Sequence, residues 1–133
     1  MKAMLLTKIV DVNTHPTPLS LQQVPEPTPG EGEVLIKIST CGVCHTELDE
    51  IEGRTPPPKL PVIPGHQVVG TIEEDPNKGQ RVGVAWIFSA CGECGYCMAG
   101  EENLCAQFRA TGRDVNGGYA QYITVPEKFA HPI

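Results

Sequence analysis

Four cysteines fall within the fifteen residues Cys91 to Cys105, CGECGYCMAGEENLC, in the spacing C-x2-C-x2-C-x7-C. Thiols at that density must be cross-linked or share a metal. A Cys-x-x-Cys turn brings two sulfurs to one ion at about 2.3 Å, and Cys91, Cys94 and Cys97 with a returning Cys105 complete a tetrahedron. Gly92 and Gly95 stand where a tight turn is easiest without a Cβ. The pattern describes a closed structural zinc site with no position for substrate. Disulfides suit an exported chain, and adjacent Cys-x-x-Cys links close loops too small to stabilise much. A thioredoxin-like redox pair needs a βαβ context that the sequence lacks. An iron–sulfur protein is the serious rival, since the first three cysteines match a ferredoxin run; the x7 gap and the missing Pro after Cys105 do not.

The chain around this stretch is punctuated by 13 Pro and 14 Gly spread over its length, which predicts short strands joined by tight turns. Strands are expected at Met1 to Lys8, Leu19 to Val24, Glu33 to Thr40, His66 to Glu74, Arg81 to Phe88 and Tyr119 to Val125, with EDPNKGQ as a turn. In EVLIKIST the residues Val34, Ile36 and Ile38 share one face, the alternation of a half-buried strand. One short helix is expected at Cys44 to Glu52, with Leu48 and Ile51 apolar among polar Thr46, Glu47, Asp49 and Glu50. No G-x-G-x-x-G follows a strand, so no dinucleotide-binding Rossmann unit is expected within residues 1–133. One mainly β, partly open barrel-like domain with short helices is the expected fold.

A formal charge of −6 and a pI near 5.1 argue against nucleic acid or an anionic membrane as partner. No apolar run reaches the ~20 residues of a membrane span. The N-terminal MKAMLLTKIVDV is broken by Lys8 and Asp11 and reads as a first strand, not a signal peptide. Six cysteines without an export signal point to the cytoplasm.

A second constellation begins where strand EVLIKIST ends, in Cys41-Gly-Val-Cys44-His45-Thr46, and continues at His66 in PGHQVVG. Thiolate plus imidazole is a catalytic zinc combination when one position stays open. The plainer alternative is a half-buried Cys44 and a hydrogen-bonded core His66. Thr46 alone suits a helix N-cap, and Trp86 suits either the core or a substrate pocket.

Taken together, GEVLIKI at Gly32 to Ile38, CGVCHTEL at Cys41 to Leu48, PVIPGHQVVG at Pro61 to Gly70, KGQRVGV at Lys78 to Val84, the four-cysteine stretch and GGYAQYITVP at Gly117 to Pro126 resemble the N-terminal, GroES-like catalytic domain of the zinc-dependent medium-chain alcohol dehydrogenases. The resemblance covers essentially the whole chain. It implies that Cys44 and His66 ligate a catalytic zinc, and that Cys91, Cys94, Cys97 and Cys105 hold a structural one, two zinc ions per chain in a complete enzyme. It implies a substrate-facing hydroxyl at Thr46, the first station of a proton relay, and a cofactor pyrophosphate near His45. The implied activity is NAD- or NADP-dependent interconversion of small alcohols with aldehydes or ketones by zinc-assisted hydride transfer, in an enzyme that can be a homo-oligomer.

Departures from the family are Gln67, where an acidic residue often follows the zinc-binding His, and Asp49, where several members carry the relay His. Cys41 is extra to the usual ligand set and is expected to be a buried or semi-buried thiol. Family chains continue into a dinucleotide-binding domain, which supplies most cofactor contacts and commonly another zinc ligand. This sequence ends at FAHPI, about where that domain begins, so the 133 residues alone are expected to lack turnover. A non-catalytic zinc-binding module is the alternative from another class.

Overall fold

A computed structural model describes residues 1–74 and 76–133; Asp75, in the expected EDPNKGQ turn, lies outside the described residues. The elements run β1 (Lys2–Leu6), β2 (Leu19–Gln23), β3 (Glu33–Cys41), α1 (His45–Ile51), β4 (Val68–Ile72), β5 (Arg81–Val84), β6 (Ile87–Ser89), α2 (Gly95–Met98), β7 (Arg109–Ala110), β8 (Tyr122–Pro126) and β9 (His131–Pro132). Antiparallel pairing builds a five-stranded sheet in the order β8-β3-β4-β5-β9, a β1-β2 ribbon and a β6-β7 ribbon. The chain is mainly β, as its Pro and Gly punctuation predicts.

Register follows the apolar alternation. Ile36 of β3 stands opposite Ile72 of β4 and Ile123 of β8, so three buried isoleucines share one face. Val34, Val68, Val82, Val84, Phe88 and Val125 complete that core. Each such side chain, once buried, stabilises the fold by roughly 1.5–3 kcal/mol relative to exposure. Leu6, Val10, Ile51 and Val62 form a second cluster that seats α1 against the first strand.

Two expectations change. The run from Arg81 to Phe88 is not one strand, because the Thr111 N–H and hydroxyl bond the carbonyls of Trp86 and Ala85, both at 2.9 Å, in place of a sheet neighbour. The chain turns there, and β5 and β6 enter different sheets. Helix α1 also inverts its expected faces: Glu47 and Glu50 are buried beside Ile51, while Leu48 is only half-buried. Its N-cap is Cys44, not Thr46, and Gly53 at φ +80° stops it.

Candidate metal sites

The four thiols of residues 91–105 converge. Their sulfurs all lie within 4.8 Å of one another, and Cys91 Sγ is 3.8 Å from Cys97 Sγ. An ion bound tetrahedrally at about 2.3 Å requires sulfur separations of ~3.8 Å, so the donor set fits zinc. Backbone N–H groups point at the sulfurs: Cys94 donates to Cys91 at 3.3 Å, and Cys91 and Gln107 donate to Cys105 at 3.4 and 3.3 Å. Backbone hydrogen bonds from Glu93 and then Cys94 pull the Cys91 thiol down to about 6. In the same cluster, burial and then the neighbouring cysteines push Cys97 up to about 12. Gly92 takes φ +79°, as the turn requires; Gly95, which opens α2, has open space where a Cβ would stand, so the expected demand for glycine holds at Gly92 alone.

The second constellation is organised by a residue the sequence reading passed over. Cys44 sits at the N-cap of α1, directly after β3, and His66 lies in the segment before β4, where Gly65 at φ +98° turns the chain. A Cβ on Gly65 would come within 2.9 Å of Cys41 Sγ, so glycine also permits that close approach. Glu47 joins the two. Its Oε2 accepts the Cys44 N–H at 2.7 Å, and its Oε1 stands 2.7 Å from His66 Nδ1. Both side chains are buried, and the Oε1–Nδ1 approach lacks the alignment of a hydrogen bond, leaving each atom without such a partner. A carboxylate at one imidazole nitrogen fixes the ring for a metal at the other. The pair offers a thiol and an imidazole, donors of the kind zinc takes; among the described residues, only the four-cysteine cluster gathers three or more ligands at one point.

Around this pair, Thr46 Oγ1 lies 3.5 Å from the Cys44 thiol that donates to it. Trp86, weighed as either core or pocket, is half-buried and meets the His66 ring edge-on at 4.9 Å, with Phe108 beyond at 6.2 Å. Cys41 is half-buried, and burial raises its thiol against the opposing Gln67 backbone contact. Tyr119 has a buried, unpartnered hydroxyl; burial and then the charges of Glu47, Cys41, Glu50 and Cys44 drive it further from ionisation. His45 is exposed, 3.6 Å from Asp49, whose carboxylate is also held by Arg54. Gln67 is exposed and packs against Gly42. The structure thus brings Cys44, Thr46 and His66 together with Glu47 and Trp86, and leaves His45, Asp49 and Gln67 at the rim.

Residues 30–133 match the family model described as the alcohol dehydrogenase GroES-like domain. An alcohol dehydrogenase of Geobacillus stearothermophilus is 44% identical over 95% of this chain and 39% of its own length. Among solved structures, a short chain alcohol dehydrogenase from E. coli CFT073 complexed with NADH is 31% identical, with a TM-score of 0.86 over 100% of this chain and 38% of that one. A putative zinc-binding dehydrogenase from Sinorhizobium meliloti 1021 bound to NADP is 33% identical, with a TM-score of 0.84 over 99% and 38%. The chain thus spans about two fifths of the length of its curated relative.

Proposed function

The chain belongs to the zinc-type medium-chain alcohol dehydrogenases, whose N-terminal GroES-like domain it forms, and from that premise we propose that it is the zinc-binding catalytic part of an NAD- or NADP-dependent enzyme interconverting small alcohols with aldehydes or ketones. The observation that carries the proposal is the Glu47 carboxylate held between Cys44 and His66. The site that this makes is distinct from the four-cysteine lobe.

In this reading Cys44 and His66 hold one zinc, and Cys91, Cys94, Cys97 and Cys105 hold another. The first, when bound, supplies Lewis-acid polarisation of a substrate oxygen. Glu47 keeps the His66 ring in one orientation and ties it to the N-cap of α1. Thr46, beside the Cys44 sulfur, places a hydroxyl that can accept the substrate's proton at Oγ1 and pass its own onward. Trp86, with Phe108 beyond it, supplies the apolar side of the site beside His66. His45, exposed at the start of α1, is assigned to the cofactor's pyrophosphate on the family resemblance. Asp49 and Gln67 stand at the edge of the site, with Asp49 paired to Arg54.

Elemental analysis of the chain, purified without added metal, tests this. Two zinc ions in the wild type, and one after joint replacement Cys44→Ser and His66→Ala, are expected. Unchanged zinc content in the double variant would leave a zinc-binding module without a catalytic site, and an iron-containing, coloured preparation would favour the iron–sulfur reading.

A further inference from the structure

Glu50 is fully buried, and neither of its carboxylate oxygens has a hydrogen-bond partner among the described residues. It lies three residues beyond Glu47 and four beyond Thr46 on α1, so both are its neighbours on the helix surface. The charged groups acting on it are Glu47 and Asp49 from its own helix, and Arg113 and Asp114 from the segment after β7. Arg113 is the one cation of that set, and its Nε and Nη2 are already given to Asp114 at 3.0 and 2.9 Å while its guanidinium lies over Trp86. A carboxyl placed in this way is unfavourable as a bare anion. It must keep a proton or meet a cation.

The place where a cation would arrive is the Cys44–His66 pair, which Glu47, the neighbour of Glu50 on α1, joins. We propose that Glu50 is the proton-holding group of the Cys44–His66 centre: it carries a proton while that pair holds no metal, and gives the proton to solvent when a divalent cation is taken up. Its carboxylate then serves as the buried countercharge that Gln67, neutral and exposed, does not provide. The inference rests on Cys44 and His66 being a metal pair. Burial, followed by the charge on Glu47, pushes the Glu50 carboxyl up to about 8, with Arg113 opposing, which agrees with a neutral group near pH 7.

The consequence is countable. Filling the second site near pH 7 releases the protons of its ligands and one more from Glu50. Calorimetric zinc titration of the chain carrying zinc only in its lobe, repeated in buffers of different ionisation enthalpy, measures that number. The wild type is expected to release close to one proton more than Glu50→Gln, and the variant to bind its second zinc about tenfold more weakly at pH 9. Carbon-13 NMR of chain labelled at the glutamate carboxyls gives an independent readout: one resonance protonated at pH 7 moves to the ionised position with the second zinc. Should Glu50→Gln fail to fold, that wild-type resonance decides by itself. Equal proton counts, or glutamates all ionised at pH 7 before zinc, would overturn the role of Glu50 while leaving the metal pair standing. A wild type that takes only one zinc would overturn the metal pair, and the role of Glu50 with it.

Discussion

Glu47 uses each oxygen of one buried carboxylate differently, one on the Cys44 N–H and one against the His66 ring. Removing it leaves a backbone donor unsatisfied and frees the imidazole to rotate. Glu47→Ala is expected to weaken the second zinc by about 10–100-fold while leaving the lobe zinc in place. It is also expected to cost about 1–3 kcal/mol of stability for the orphaned N–H. Competition with a zinc chelator and urea unfolding at fixed pH measure the two effects, and an unaltered second zinc would show that Glu47 does not orient His66. The sequence carried a hint of this residue, a glutamate three positions after the residue that caps a helix. Nothing else in the sequence separates it from the other polar residues of the helix, because polar side chains ordinarily face water, whereas the inward face of α1 is polar where it meets the site. Cys44 and His66 stood out because thiolate with imidazole suits a metal, but the residues alone left a half-buried thiol and a core histidine open, and Thr46 an N-cap; it was the family resemblance that assigned their roles.

Among the elements, the lobe differs from the rest in what orders it. Neither α2 nor the 3₁₀ turn Glu102–Leu104 buries a residue, and Tyr96, Met98 and Leu104 are exposed. Cys105 is its buried side chain, and with so little packing the lobe would depend on metal–sulfur bonds for its order in the proposed zinc-bound enzyme. Chelation of the lobe zinc, or Cys97→Ser, is expected to remove hydrogen-exchange protection from residues 91–105 while β3, β4 and β8 keep theirs. Protection that survives zinc loss would mean the lobe folds without metal. The contrast also explains what was readable in advance. Cysteine spacing is a local, covalent constraint, and the alternation of β3 is written in consecutive residues. The break between β5 and β6 depends on Thr111, which is remote in sequence, and β9 is two residues long; neither leaves a periodic trace.

Across the whole molecule, every buried side-chain polar atom without a partner among the described residues belongs to Glu47, Glu50, His66 or Tyr119. Among the described residues, the buried side-chain deficit falls on these four, three of which belong to α1 or the His66 segment, in a chain of net charge −6. That arrangement makes stability depend on pH in two opposite ways. Burial draws the Asp114 carboxyl upward, but Arg113 and the Ala110 N–H outweigh it and hold the group below its usual range. Its contribution is present above the unfolded value near 3.8 and is lost as pH falls through the lower folded value. Glu50 runs the other way. Its folded value of about 8 exceeds the unfolded 4.5, so between those values the unfolded chain has released a proton that the folded chain retains, and stability falls as pH rises. With zinc in the lobe alone, the urea midpoint of the wild type is therefore expected to decline from pH 5 to pH 8 more steeply than that of Glu50→Gln, whose amide does not titrate. Groups common to both proteins cancel in that comparison. Saturating the second site should then flatten the wild-type decline, because a bound cation favours the ionised carboxylate in the folded state. Parallel pH profiles for the two proteins would mean that the Glu50 carboxyl ionises alike in both states, and that the deficit at the site is met by something other than a retained proton.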